Sequence, residues 1–257
     1  MKRIFRLKIN TIHFFILLFV FQACDTEDAP DCFQTVGKMT TKEVSVEAFH
    51  ELIVYKGIKL FIEQGPEHKV VIESGENLIG EIIAEVENGR LSLRNRNGCN
   101  LFRDYNVTSI YVTVPNLTWL QNAGNNVIEG RGELHFPNIW LRSYDQEKEP
   151  DIYTIGDFNL ELISEEIRIT SDNYSHFYLS GSVNYFDIYI ADGDSRVEAR
   201  NLIAQTVEVQ HRGTNKLIVN PQQLLKGEIR STGDVISVNQ PAVVDVETFY
   251  SGKLIFV

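Results

Sequence analysis

Basic charge is scarce in this chain, and so are cysteine, long apolar runs and catalytic signatures. Lys and Arg number 24 against 35 Asp and Glu, a net charge of −11. Residues 1–23 hold Lys2, Arg3, Arg6 and Lys8 and no acid, so without them the balance is 20 against 35, or −15. A chain this acidic repels phosphate backbones, which argues against a nucleic-acid partner. The cysteines are only Cys24, Cys32 and Cys99, none with a His or Cys at metal-ligand spacing. His50, His68, His135, His176 and His211 are equally unpaired and read as isolated surface histidines. No metal site and no cofactor is expected. Gly-x-Ser-x-Gly elbows and Gly-rich phosphate loops are missing as well.

The longest apolar run, Ile12 to Phe21, lies behind the four basic residues. At about ten residues it is short of the ~20 that a membrane-crossing helix needs. The pattern is that of an export signal over residues 1–23. Phe21-Gln22-Ala23-Cys24 resembles the lipobox of bacterial lipoproteins, although Phe21 and Gln22 stand where Leu and a small residue are commoner. That resemblance implies cleavage before Cys24 and acylation of it, and several acyl chains hold a protein firmly at a membrane. Asp25 to Asp31 is acidic and turn-prone, and residues 24–41 read as a tether. Its position also resembles the export tag of surface lipoproteins of the Bacteroidetes; a solvated linker on the periplasmic side is the alternative.

Beyond the tether the chain repeats. Apolar pairs recur at Val127-Ile128, Ile152-Tyr153, Phe177-Tyr178, Val197-Glu198 (its second member lost), Leu217-Ile218, Val235-Ile236 and Leu254-Ile255. The first members lie 25, 25, 20, 20, 18 and 19 residues apart. Turn residues precede most pairs: Asn125-Asn126, Asp192-Gly193-Asp194, Gly213-Thr214-Asn215, Gly233-Asp234 and Ser251-Gly252. Within repeats the apolar residues alternate, as in Ile188/Ile190 and Val207/Val209, which is strand periodicity with no competing helical stripe. A period near 20 with turn chemistry at fixed phase predicts an all-β parallel β-helix or β-solenoid over residues 117–257.

Residues 42–116 are strand-rich but less regular, and are expected to cap or continue the solenoid, so that 42–257 forms one unit. Asn88-Gly89 between Glu85-Val86-Glu87 and Leu91-Ser92-Leu93 predicts a tight hairpin. Asn77 to Ile83 has room for one helical turn. In an exported chain Cys32 and Cys99 most simply form a disulfide. It would close roughly 66 residues and contribute on the order of 4 kcal/mol by the chain-entropy model.

Several stretches carry a family resemblance: Cys32-Phe33, Phe49-His50-Glu51-Leu52, Gln64-Gly65-Pro66, Gly75-Glu76-Asn77-Leu78, Val86 to Leu91, Asn97-Gly98-Cys99-Asn100, Val112 to Leu117 and Ser251 to Ile255. With these the chain resembles the head GIN domain family of auto-transporter adhesins, found in Bacteroidetes envelopes. The usual Ser-Gly-x-Gly-Asp turns are eroded at Tyr144 to Pro150 and Asp172 to Ser175. The resemblance implies a β-helical fold and an adhesin label; fold by itself does not fix function.

No catalytic constellation stands out. Asp172, Asp192, Asp194 and Asp234 are the carboxylates that a polysaccharide-active β-helix enzyme would bring into one groove, but all sit at turn positions that favour Asp for local reasons. Tyrosines crowd the middle coils. Alternation in Tyr185 to Ile190 puts Phe186, Ile188 and Ile190 on one face and Tyr185, Asp187 and Tyr189 on the other. With Tyr178, these three form the expected ligand platform for a glycan or a host or cell-surface protein. The expectation is therefore a non-catalytic, lipid-anchored outer-membrane binding module. The alternatives are the polysaccharide-active enzyme or a structural envelope protein self-associating through its solenoid ends.

Overall fold

The computed structural model describes residues 34–98 and 107–257. The export segment, most of the tether and all three cysteines lie outside the described residues, and with them the expected acylation of Cys24 and the Cys32–Cys99 pairing.

The described chain is all β. Eighteen strands, numbered in chain order, join in one hydrogen-bonded sheet wrapped nearly closed around a core. The sheet contains two long ladders. The first runs through β5 (Ile82–Glu87), β6 (Arg90–Asn95), β2 (Glu51–Tyr55), β8 (Trp119–Ala123) and β10 (Asn138–Ser143). It continues through the second halves of β11 (Phe158–Ser171), β12 (His176–Ile190) and β13 (Arg196–His211), then β15 (Pro221–Ile229) and β17 (Val243–Thr248). The second takes β1 (Met39–Val44), β4 (Lys69–Gly75), β7 (Ser109–Val114), β3 (Lys59–Gln64) and β9 (Ile128–Leu134). The first halves of β11, β12 and β13 follow, then β14 (Leu217–Val219), β16 (Val235–Ser237) and β18 (Leu254–Phe256).

Pairing is parallel except where β5 meets β6 and where β4 meets β1 and β7. The β5–β6 hairpin turns at Asn88 (φ 51°) and Gly89 (φ 76°), the two positive φ values that a tight two-residue hairpin demands. Parallel neighbours cannot be joined by hairpins, so the chain elsewhere crosses between ladders on each pass. β2 and β3 stack in parallel on β8 and β9, so the pairing runs across residue 116. The expected helical turn is a single 3-10 turn, Ile79–Glu81.

Strand alternation decides what is inside. β7 alternates half-buried and buried along its length. Across the second ladder one inward column reads Ile72, Ile110, Leu60, Ile128, Phe158, Phe177, Val197, Leu217, Val235 and Leu254, each beside the next. Phe158 and Phe177 stack at 4.7 Å with ring planes 9° apart. Burial of each such side chain contributes about 1.5–3 kcal/mol. Five of the expected apolar pairs supply this column directly, and Ile128 is the pair member that does so in the first of the seven. Ile152-Tyr153 does not join it: that pair lies in a long turn, where the Tyr153 N–H donates to the Ala123 carbonyl at 3.0 Å, and Phe158 takes the position instead.

Each return from the first ladder to the second passes along one edge of the molecule. There the short turns stack on one another: the Thr214 N–H donates to Gly193, the Gly233 N–H to Gly213 and the Gly252 N–H to Ser231. Gly193 has φ +76°, and a Cβ there would lie 2.5 Å from the Asn173 backbone; at Gly233 it would lie 2.2 Å from the Asn215 carbonyl oxygen. Side chains are sterically excluded from these positions. His211, expected at the surface, is instead fully buried beside this edge. Its Nε2 donates to the Asn215 carbonyl at 2.9 Å, and its Nδ1 accepts from the Gly213 N–H at 3.4 Å. Burial pushes its pKa down, so the neutral ring is favoured.

Candidate functional site

At the same edge one turn is long, running from Tyr144 to Asp157, and it folds back over the outward side of β2, β8 and β10. Three contacts hold it: Gln121 Nε2 donates to the Tyr144 carbonyl at 3.1 Å, the Asp145 N–H to Asp172 Oδ2 at 3.2 Å, and the Tyr153 N–H to Ala123. Ile53 and Tyr55 point outward by alternation with Leu52 and Val54, yet are only 6% and 9% exposed. They pack with Ala123, Trp119 and Ile152 in a second apolar cluster outside the main core.

A groove of about 640 Å³ opens between this turn and the sheet. Its floor comes from register neighbours on adjacent strands. Glu51, Trp119 and Trp140 stand side by side, as do Ile53, Gln121 and Arg142 one step along. Tyr55, Arg90, Thr118 and Tyr144 complete the floor, and Asp145, Gln146, Glu147 and Glu149 form the rim. Trp140 Nε1 donates to Thr170 Oγ1 at 2.9 Å.

Guanidinium groups interleave with the aromatic rings. Arg90 Cζ lies 4.2 Å from the Trp119 ring centroid while Arg90 binds Glu51 at 2.6 and 2.7 Å. Arg142 Cζ lies 4.7 Å from Trp140, 5.5 Å from Tyr144 and 5.8 Å from Trp119. Arg142 Nε donates to Gln121 Oε1 at 3.2 Å, and among the described residues the guanidinium forms no ion pair. Burial lowers the Arg142 pKa, but an arginine stays charged.

Tyr185, Asp187 and Tyr189 do face outward on the first ladder, with Phe186, Ile188 and Ile190 buried beneath. The polar groups of Tyr185 and Asp187, however, are engaged. The Tyr185 hydroxyl donates to Glu208, and burial followed by that bond raises its pKa. Glu208 also binds Lys226 at 2.7 Å, and Asp187 binds Arg168 at 3.0 Å. Tyr178 does not join them: it lies on the second ladder between Asn159 and Glu198, 46% exposed. The turn aspartates bond within the turn stack. Asp194 accepts from Thr214 Oγ1 at 2.6 Å and Asn215 Nδ2 at 3.2 Å, and Asp234 accepts from the Lys253 N–H at 2.9 Å. Asp172 anchors the long turn, and burial raises its pKa. No cluster of three or more metal-ligating side chains occurs among the described residues.

Sequence reasoning did not single out Trp119, Trp140 and Arg142. A signal was present: the tryptophans lie 21 residues apart (140 − 119), close to the repeat period, each at the outward phase just ahead of a buried leucine.

The chain is thus of the all-β class, one sheet wound around one core with an aromatic–arginine groove on its outer side. The family model described as "Putative auto-transporter adhesin, head GIN domain" matches residues 48–241, and the chain belongs to that family. No curated protein matches. Among solved structures, a putative adhesin from Bacteroides fragilis is similar over 87% of this chain and 99% of its own, with TM-score 0.77 and 17% identity. A putative adhesin from Parabacteroides merdae (TM-score 0.62, 14% identity) and a putative lipid binding protein from Parabacteroides distasonis (0.63, 14%) each cover 87% of this chain and 98% of their own. At such identities the likeness is one of fold. Among the described residues no helix is long and apolar enough to cross a membrane.

Proposed function

We propose that this protein is a non-catalytic β-solenoid binding module of the cell envelope, held to the outer membrane through an acylated Cys24, with a Cys32–Cys99 disulfide tying its N-terminal region. Its recognition site is the Trp119–Trp140 groove and its ligand a surface glycan. The observation that carries this reading is the groove itself, where two indoles, Tyr144 and arginines converge beneath a turn longer than its neighbours in the stack. Aromatic rings with a few placed polar groups are the usual makings of a ligand site. Asp194 and Asp234 are bonded to neighbouring turns and Asp172 holds the long turn, roles that are local and structural.

The test is binding of the full chain to arrayed glycans, with Trp119→Ala and Trp140→Ala variants in parallel. Each variant is expected to lose at least about tenfold in affinity, the equivalent of one stacking contact. Unchanged binding in both variants would remove the groove from the mechanism. Protease treatment of intact cells tests the location: digestion before lysis supports surface display, and protection until lysis overturns it.

A further inference from the structure

We propose that the groove takes an acidic saccharide, a pyranose carrying a carboxylate, and that the carboxylate binds the guanidinium of Arg142. This deepens the groove reading above and rests on it.

The first argument is an unmatched charge. Three arginines reaching over this ladder have acids: Arg90 has Glu51, Arg168 has Asp187 and Glu166, and Arg230 has Glu228, while Arg94, 3.5 Å over the Tyr55 ring, shares with Arg142 the lack of an ion pair among the described residues. Arg142 is half-buried on the groove floor with none. Burying a cation is costly unless it is paired, so such a group is set to gain from an anion delivered by a ligand. Gln121 holds Nε, while the terminal N–H groups have no acceptor among the described residues. A planar fork held this way matches a carboxylate through two parallel hydrogen bonds.

The second argument concerns the rest of the ligand. Trp140 and Tyr144 lie within 6 Å of the same guanidinium and offer ring faces beside it. Thr118 adds a hydroxyl suited to a sugar hydroxyl, while Gln121 and Glu51 serve to hold Arg142, Tyr144 and Arg90 in place. A peptide could not add as a strand here, because β2, β8 and β10 are each paired on both sides. Against an anion stand Asp172, whose charge already acts on Arg142 from behind the turn without an ion pair, Glu51, which Arg90 neutralises, and Asp145, Glu147 and Glu149 on the rim. Glu147 and Glu149 are exposed and Asp145 half-exposed, so water and salt screen them over about 8 Å, while the half-buried Arg142 is screened far less.

The chain contains two tryptophans, and both line this groove, so intrinsic tryptophan emission reports on it alone. The full chain would be titrated with hexuronate oligosaccharides (galacturonate, glucuronate, mannuronate) and with their neutral counterparts. The expected result is an emission change with a uronate, weakened about tenfold or more by Arg142→Gln. Arg142→Lys, which keeps the charge and loses the fork, should retain part of the affinity, and Arg230→Gln, away from the groove, should leave it unchanged. If neutral and acidic oligomers bind alike and Arg142→Gln weakens neither, the acidic preference is overturned while the groove reading stands. If no oligosaccharide of either kind changes the emission, both fall. Should Arg142→Gln not fold, Arg142→Lys decides: affinity for the uronate equal to that of the unmodified chain overturns the proposal.

Discussion

Two stretches of one outer surface differ in how far their polar groups are spent. On the first ladder the row Glu51, Trp119, Trp140 continues through Arg168, Asp187, Glu208 and Lys226 on successive strands. From Arg168 onward each charged side chain faces an opposite one, and the Tyr185 hydroxyl is given to Glu208. Around the tryptophans the charges do not close, because Arg142 lies among aromatic rings with an amide as its hydrogen-bond partner. An outward residue becomes a candidate for recognition only when its neighbours have not already consumed its bonding capacity. The tyrosine stretch is a sealed surface; the tryptophan stretch is a receptive one.

Whether the two stretches fold as one unit is the question with the largest effect. Phe177→Ala opens the Phe158–Phe177 stack on β12, the strand that carries Tyr185, and should cost about 3–5 kcal/mol. Tryptophan emission, confined to the groove, and circular dichroism, spread over the whole sheet, should then lose their signals at the same reduced denaturant concentration. Two separate transitions would show that the groove stands without the tyrosine strands.

Acid should weaken the sealed stretch first. His211 is held below its ordinary pKa by burial, so its contribution is fully present above about pH 6.5 and is lost as pH falls from there through the depressed native value. Glu208, lowered by Lys226 and then Tyr185, acts in the same direction at a lower pH, through the carboxylate range. Thermal midpoints measured from neutral to about pH 5 should fall, and His211→Asn should flatten that dependence even if it lowers the starting stability. An unchanged slope would mean that another group governs it. The smallest effect is expected of Tyr185→Phe, which removes the hydroxyl bond to Glu208 and leaves Lys226 in place. It should cost about 1 kcal/mol in denaturant unfolding and leave glycan binding untouched; weakened binding would restore Tyr185 to the recognition surface.

Much of the architecture was legible because it is local. Alternation in Phe186, Ile188 and Ile190 fixes which side is buried, and Asn88-Gly89 specifies its hairpin within two residues. Recurrence of Phe177, Val197, Leu217, Val235 and Leu254 foretold an inward column. The groove is a different kind of object. Tyr55, Arg90, Trp119 and Arg142 meet only because parallel strands from separate passes lie side by side, so no window of sequence contains them together. Crowding of tyrosine drew attention to Tyr185, and its engagement with Glu208 on the next strand was equally invisible. The burial of His211 depends in the same way on how successive turns stack over it.

The glycine turns have a consequence for how such a protein can change. Gly233 would place a Cβ 2.2 Å from one carbonyl oxygen and Gly252 would place one 2.3 Å from another, so at these points of that edge even a methyl group has no room. The turn from Tyr144 to Asp157 escapes that limit by swinging outward, and Gln146 to Pro150 lie in the open. Variation is thereby channelled. New recognition can be written into this one turn, by insertion or wholesale replacement, while the stacked edge acts as a ruler that keeps every strand at its place in the ladder.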